Sequence, residues 1–387
     1  MAMSGTWWVD EGELLDEQAD VLEVDLYEDL MLSGPPGSGK TNLLLLRANH
    51  LVLTSPDKEF YIICFTSLLQ NFIRTGAGLY AFPENRIITQ YKLYEQVLAD
   101  HGFAPPRKKN ESYNDRIESL KSALASMMNE GIGKHAYPVL FIDEAQDYSG
   151  EDLEIFKYLA ANLTCAGDSR QGIYSVGETG VSWIADHPWD KKISLQYHHR
   201  VAPAILEVGD KMMDGKFGHQ PMLETHQYKG DPGSIEVVPG ITLDEQIKTM
   251  IPKLGKQLAL YPNQIIGVLV PQKEDVPRVV ELLSADPTLA GRVTNAVSQY
   301  FDSTAHVWVS TVHSAKGLEF RCVHIVAADL FRKFLDHERR VAFMAVTRAK
   351  TTLTIYHEKP LHAFFAAALA KPNPAKVTTR NLFGKAS

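Results

Sequence analysis

The sequence predicts an α/β chain in which parallel strands alternate with helices. Three observations carry that reading. Short continuous apolar runs, among them Phe60–Phe65, Val139–Ile142 and Leu163–Ala166, recur with helical stretches between them. Strands without an in–out alternation are those covered on both faces, as in a parallel sheet flanked by helices. Gly34-Pro35-Pro36-Gly37-Ser38-Gly39-Lys40-Thr41 fits the phosphate-cradling pattern G-x-x-x-x-G-K-[ST], and it lies between the short apolar strand Leu30–Leu32 and an apolar run of helical length, Thr41–Leu53. Finally, Asp143 and Glu144 close the strand Val139–Ile142. They stand at the carboxyl end, where open α/β sheets bind their ligands.

Taken in order, further strands are expected at Arg86–Thr89, Lys192–Leu195, Ser234–Val238, Ile265–Val270, Val307–Ser310, Cys322–Val326 and Thr352–Tyr356. The stretch from about 91 to 135 differs from its surroundings. It has Pro105-Pro106-Arg107-Lys108-Lys109, a helical run Tyr113–Met128 and a turn with Gly131 and Gly133, and it reads as a small helical insertion. The first strand–helix set is complete near Leu195, so residues 1–195 and 196–387 are expected to form two domains, with a frayed tail after about 372. One helix, Val276–Leu283, and a short connection through Ser303 precede the strand Val307–Ser310.

At 387 residues the chain is long enough for two or three domains with ample core. No apolar run reaches membrane-spanning length, and Asp10, Glu11 and Glu13 stand where a secretory signal would need basic residues. Three widely spaced cysteines, Cys64, Cys165 and Cys322, argue against a disulfide framework or a zinc site, and a cytoplasmic protein without a membrane partner is expected. The net charge of −8 does not advertise nucleic-acid binding. A cleft that grips a strand needs only local basicity.

Chemistry concentrates at a few places. The glycines of 34–41 let backbone N–H groups converge on phosphate oxygens above a helix N-terminus. Lys40 would then reach the β- and γ-phosphates, and Thr41 and Asp143 would hold Mg²⁺. Glu144 is placed to orient or deprotonate an attacking water. Gln171, in Gly167-Asp168-Ser169-Arg170-Gln171, follows another strand end and is either a γ-phosphate contact or part of a polar turn. Gln18 is either an adenine reader or a surface amide. Arg200 and Arg348 each close an apolar run, as a salt-bridged cap or as a finger on the γ-phosphate. Spacing does not separate these alternatives.

These residues fall into a set that resembles the superfamily 1 helicases of the UvrD/Rep type. Asp143-Glu144-Ala145-Gln146-Asp147 is similar to that family's second motif, and Gly167-Asp168-x-x-Gln171-x-Ile173-Tyr174 to its third. Thr311-Val312-His313-Ser314-Ala315-Lys316-Gly317-Leu318-Glu319-Phe320 resembles the fifth nearly letter for letter, and Glu338-Arg339-Arg340 through Ala345-Val346-Thr347-Arg348-Ala349-Lys350 resembles the sixth. The resemblance implies two RecA-like parallel-sheet P-loop NTPase domains with ATP in the cleft between them, and 3′–5′ travel on single-stranded DNA. By the same resemblance Gln18 would contact adenine, Glu319 with Gly317 the nucleotide, and Arg200 and Arg348 the γ-phosphate. Phe65, Thr66, Tyr174, Thr311 and His313 match positions at or near the strand.

The chain departs from the family at several points. His198-His199-Arg200 replaces the usual Asn-Tyr-Arg, so His199 is the residue left to stack on adenine. Val176 and Gly177 replace a large aromatic and an arginine after the third motif. Both accessory domains are reduced or absent. An alternative is therefore an ATP-hydrolysing switch that regulates a partner such as a nuclease, and RNA is an alternative strand.

Overall fold

The computed structural model describes residues 11–76, 79–168, 177–216, 218–298, 302, 304–331 and 336–370. Two six-stranded sheets organise them, and every strand pair is parallel. The first half runs α1 (Asp16–Glu23), β1 (Leu30–Ser33), α2 (Lys40–Thr54), β2 (Phe60–Cys64), α3 (Ser67–Arg74), β3 (Ile87–Thr89), α4 (Gln90–Asp100), α5 (Tyr113–Asn129), β4 (Tyr137–Ile142), α6 (Gly150–Leu159), β5 (Ala160–Gly167), α7 (Gly177–Asp186) and β6 (Lys191–Ser194). Its strand order is β3-β2-β4-β5-β1-β6. The second half runs α8 (Pro203–Met213), β7 (Ser234–Pro239), α9 (Leu243–Leu260), β8 (Ile266–Val270), α10 (Val276–Ser284), β9 (Val293–Asn295), β10 (Val307–Thr311), β11 (Phe320–Ile325), α11 (Asp336–Val346), β12 (Ala349–His357) and α12 (Ala363–Leu369). Its order is β7-β12-β11-β8-β10-β9. These are two RecA-like sheets of the P-loop class.

The central strands β2 and β8 are buried at every position, which is why their sequences read as unbroken apolar runs. Helices α4 and α5, in the stretch read as a small insertion, lie on one face of the first sheet. Tyr94, Leu120 and Leu124 pack there with Leu140 and Ile142 in one apolar cluster. Strand β9 corrects the expected bare connection before Ser303. It is three residues long with only Thr294 buried, too short to leave a periodicity in the sequence. The tail after 372 lies outside the described residues.

The two halves share a core. One apolar cluster runs from Phe60 and Phe141 of the first sheet through Leu69 and Phe72 of α3 to Trp308 and Phe320 of the second. Phe72 meets Trp308 edge-on at 6.0 Å. Beside this apolar bridge, Lys316 Nζ lies 2.7 Å from Asp147 Oδ1, with both residues buried. The three cysteines are buried thiols. No helix among the described residues is long and apolar enough to cross a membrane.

Candidate functional site

The loop 34–41 joins β1 to α2, and its backbone requires glycine at two points. Gly37 has φ of 75°, and a Cβ there would sit 2.8 Å from both His198 Cε1 and Arg200 Cβ. Gly39 has φ of 92° and would meet the Gln18 amide nitrogen at 2.8 Å. The left-handed conformation is costly for a side-chain-bearing residue and free for glycine. Gln18 itself donates to the Ser38 carbonyl at 2.9 Å, which ties α1 to the loop. Lys40 is folded back, donating to the carbonyls of Gly34 at 2.8 Å and Pro35 at 3.0 Å. Burial pulls its pKa down, opposed by the nearby Asp168, Glu144 and Asp143.

Across the loop, Thr41 Oγ1 donates to Asp143 Oδ2 at 2.9 Å. Asp143 is buried, and burial together with the neighbouring Glu144 pushes its carboxyl up to about 7. A hydroxyl and a buried carboxyl beside a second carboxylate form an oxygen donor set of the kind a hard divalent cation takes. Glu144 has φ of 52°. A non-glycine residue in that region stores strain of about 1–3 kcal/mol, which tends to persist at functional sites. Its carboxylate accepts from the Gln146 amide, whose oxygen in turn accepts from the Asp168 N–H at 3.0 Å.

The facing wall comes from the second half. Glu319 precedes β11, and Arg348 precedes β12. Arg200 Nη1 donates to Glu319 Oε2 at 3.0 Å. Arg348 is buried and tethered to the carbonyls of Met344 at 3.1 Å and Leu318 at 2.9 Å. Burial and the nearby Arg200 lower its pKa to about 9, so it stays charged at neutral pH. His199 is half-buried beside the loop, and its N–H donates to the Gly37 carbonyl at 3.2 Å.

The two walls enclose a cavity of about 170 Å³. Gln18, Pro36, Gly37, Gly39, Lys40, Thr41 and Glu144 line one side of it, and His199, Arg200, Gly317, Glu319 and Arg348 line the other. Gly34, Pro35, Ser38 and Asp143 stand just behind that lining, joined to it through Lys40, Gln18 and Thr41. Gln171 and Tyr174 lie outside the described residues.

The residues assigned to a strand site are differently disposed. Phe65 follows β2, and its ring packs edge-on against Tyr148 at 5.2 Å. The Thr66 hydroxyl accepts from the Leu69 N–H at 3.1 Å and caps α3. Thr311 ends β10, and its hydroxyl bonds Ser314 Oγ at 2.9 Å. His313 stacks on His337 at 5.7 Å, and burial lowers its pKa.

Sequence reasoning gave no role to three residues of this region. Lys350 lines the cavity beside Glu319. Lys316 and Asp147 form the buried pair between the halves. Both lysines belong to recognisable motifs, but only the fold shows what they face.

Two family domains match this chain: the UvrD/REP helicase N-terminal domain over residues 80–185, and the UvrD-like helicase C-terminal domain over residues 306–356. Together the two matches support a UvrD-like helicase. Domains of this kind indicate a P-loop, ATP-hydrolysing DNA helicase. The first match includes Asp143 and Glu144, and the second includes Glu319, Arg348 and Lys350. The loop 34–41 lies outside both, and its reading rests on its own pattern and geometry. No curated protein matches this UvrD-like chain. Among solved structures, the C-terminal domain of a possible DNA helicase from Lactobacillus plantarum WCFS1 is similar at 17% identity, covering 44% of this chain and 93% of that one with a TM-score of 0.34. So loose a likeness says nothing about how this chain works.

Proposed function

We propose that this chain is a Mg²⁺-ATP-driven motor that moves 3′–5′ on single-stranded DNA by opening and closing the cleft between its two sheets. One observation carries the proposal. Lys40, Thr41 and Glu144 on one wall face Arg200, Glu319 and Arg348 on the other across a single cavity. On entry of ATP, Lys40 exchanges the Gly34 and Pro35 carbonyls for phosphate oxygens. Thr41 and Asp143 hold the metal ion, which supplies charge neutralisation at the phosphates when bound. Glu144 accepts the proton of the attacking water, and the strained backbone at that residue fixes its aim. Arg200 and Arg348 stabilise charge on the γ-phosphate from the second half. Gln18 and His199 bracket the base, and Glu319 with Gly317 faces the sugar. Gln171 completes the set in the third motif.

Closure pulls the Thr311–His313 end of β10 toward Phe65 and Thr66, both at carboxyl ends of strands, and the family resemblance assigns Tyr174 to the strand as well. Alternating grip there moves the strand. An ATP-gated switch acting on a protein partner such as a nuclease is the second reading. It is favoured by Phe65 resting on Tyr148 and by the Thr66 hydroxyl being spent on a helix cap, which leave less of that surface for bases.

ATP turnover measured alone, with single-stranded DNA, with single-stranded RNA and with duplex tests the proposal. Strong stimulation by single-stranded DNA is expected. Equal turnover under all four conditions overturns the motor and leaves the switch.

A further inference from the structure

The cationic wall of the cavity holds a lysine to which the proposed hydrolysis gives no task. Lys350 is the second residue of β12 and is buried, with its Nζ 3.6 Å from Glu319 Oε1. Glu319 is equally buried. Its other oxygen, Oε2, accepts from Arg200 at 3.0 Å, while Oε1 accepts no hydrogen bond among the described residues. One carboxylate therefore stands between two cations, hydrogen-bonded to the first and ion-paired at 3.6 Å with the second.

That arrangement matters because Arg200 Nη1 is engaged by Glu319, and a turn of the guanidinium toward a phosphate would break that bond. Withdrawing Arg200 would take from a buried carboxylate its one hydrogen-bonded cation among the described residues. Stripping a buried ion of its partner is far more costly than the pair is worth. A second cation at 3.6 Å removes the penalty: a shift of a few tenths of an ångström brings Lys350 into hydrogen-bond distance of Oε1 as Arg200 leaves. The balance of the cavity agrees. Lys40, Arg200, Arg348 and Lys350 line it against Glu144 and Glu319, a surplus of positive charge suited to a metal-bound nucleoside triphosphate. The burial that depresses the Lys350 pKa is offset by the same Glu319.

We propose that Lys350 is a positioning residue that takes over Glu319 and so releases Arg200 to the nucleotide. The proposal rests on the ATP-hydrolysing reading of this cleft and adds an exchange of partners to it.

Steady-state ATP turnover of the full chain with single-stranded DNA tests it in five forms: wild type, Lys350→Met, Lys350→Arg, Glu319→Gln and the double variant Glu319→Gln/Lys350→Met. Lys350→Met is expected to lower kcat at least tenfold, with a smaller change in KM. Lys350→Arg keeps the charge and is expected within about threefold of wild type. In the Glu319→Gln background, where no carboxylate holds Arg200, Lys350→Met is expected to cost less than threefold. Equal losses in both backgrounds would mean that Lys350 only packs or touches nucleotide directly, and would overturn the exchange. So would wild-type turnover in Lys350→Met. If turnover is abolished by Lys40→Ala yet indifferent to Lys350, only this inference falls. A wild-type chain that hydrolyses no ATP overturns the parent reading and this one together. Hydrogen exchange at β11 and β12 confirms in each variant that the wall is folded.

Discussion

The two walls of the cleft hold their polar groups in different ways. On the first, Lys40 is bonded to carbonyls of its own loop, and Thr41 to the adjacent Asp143. Lys40 is satisfied within its own loop, whereas Thr41 reaches the end of β4, 102 residues away. On the second, Arg200 is bonded to Glu319, which lies 119 residues away. The first wall is ready-made, and a phosphate would replace carbonyl oxygens already bonded to Lys40 at 2.8 and 3.0 Å. The second holds Arg200 in an ion pair with Glu319, which the proposed exchange would release. On the proposed function, such a cleft would bind nucleotide on one side and sense it on the other.

The largest expected effects come from the ready-made wall. Lys40→Ala should lower ATP turnover by about 10³-fold or more, since it removes a preorganised charge from the phosphates. Glu144→Gln should cost about 10²–10⁴-fold while sparing ATP binding. Removal of divalent metal with a chelator should abolish turnover in the wild type. Calorimetric titration with ATP separates the two variants: Lys40→Ala should lose binding, and Glu144→Gln should keep it. If both keep turnover, the first wall is not where the chemistry happens.

Next in size is the pair that ties the walls together. Asp147 and Lys316 are both almost fully buried at 2.7 Å. Asp147→Ala takes the carboxylate partner from a buried ammonium and should cost about 3–5 kcal/mol in urea unfolding. The double variant Asp147→Leu/Lys316→Met should recover most of that loss, because apolar replacement of both partners of a buried pair is commonly neutral. A double variant as unstable as the single would show that the site senses lost shape and not lost charge.

A smaller effect separates the second sheet from the first. His324 in β11 is buried between the Tyr356 hydroxyl at 3.1 Å and Gln257 Oε1 at 2.8 Å, and burial lowers its pKa to about 3. The folded state therefore binds this proton later than the unfolded state, whose histidine titrates near about 6.5. Stability from this group is fully present above about pH 6.5 and falls as pH drops toward about 3. The loss between about pH 6.5 and pH 5 amounts to about 2 kcal/mol. Hydrogen exchange of the β11 amides should register it, and His324→Gln should flatten the slope.

How much of this was legible depends on how far apart the partners lie in sequence. The loop 34–41 could be read directly because its backbone path demands glycine at 37 and 39, and that demand is written locally. The strands β2, β4 and β8 were legible because burial on both faces forces apolar runs. Asp143 and Glu144 were placed by standing at a strand end. The resemblance supplied Glu319 and chose between cap and finger for the two arginines. Lys350 and the Asp147–Lys316 pair were hidden, since a lysine in a motif reads the same whether it faces solvent or a buried carboxylate. Strand β9 was hidden by its length. The turn holding Gln171 and Tyr174 lies outside the described residues, so those two assignments stand on sequence.

The smallest expected effect bears on which wall grips the strand. The family resemblance makes Thr66 a strand contact, yet its hydroxyl caps α3 by accepting from the Leu69 N–H at 3.1 Å. Loss of such a cap costs about 1 kcal/mol. Thr66→Ala should lower stability by that amount and loosen α3, which carries Leu69 and Phe72 to the cavity. Thr66→Asn, an equally good cap of different shape, should restore the stability. Affinity for single-stranded DNA, measured by fluorescence anisotropy, then separates the two roles. If Thr66→Asn restores affinity along with stability, Thr66 acts through the helix. If stability returns and affinity does not, the hydroxyl or methyl of Thr66 touches the strand itself, and the first wall contributes to grip as well as to hydrolysis.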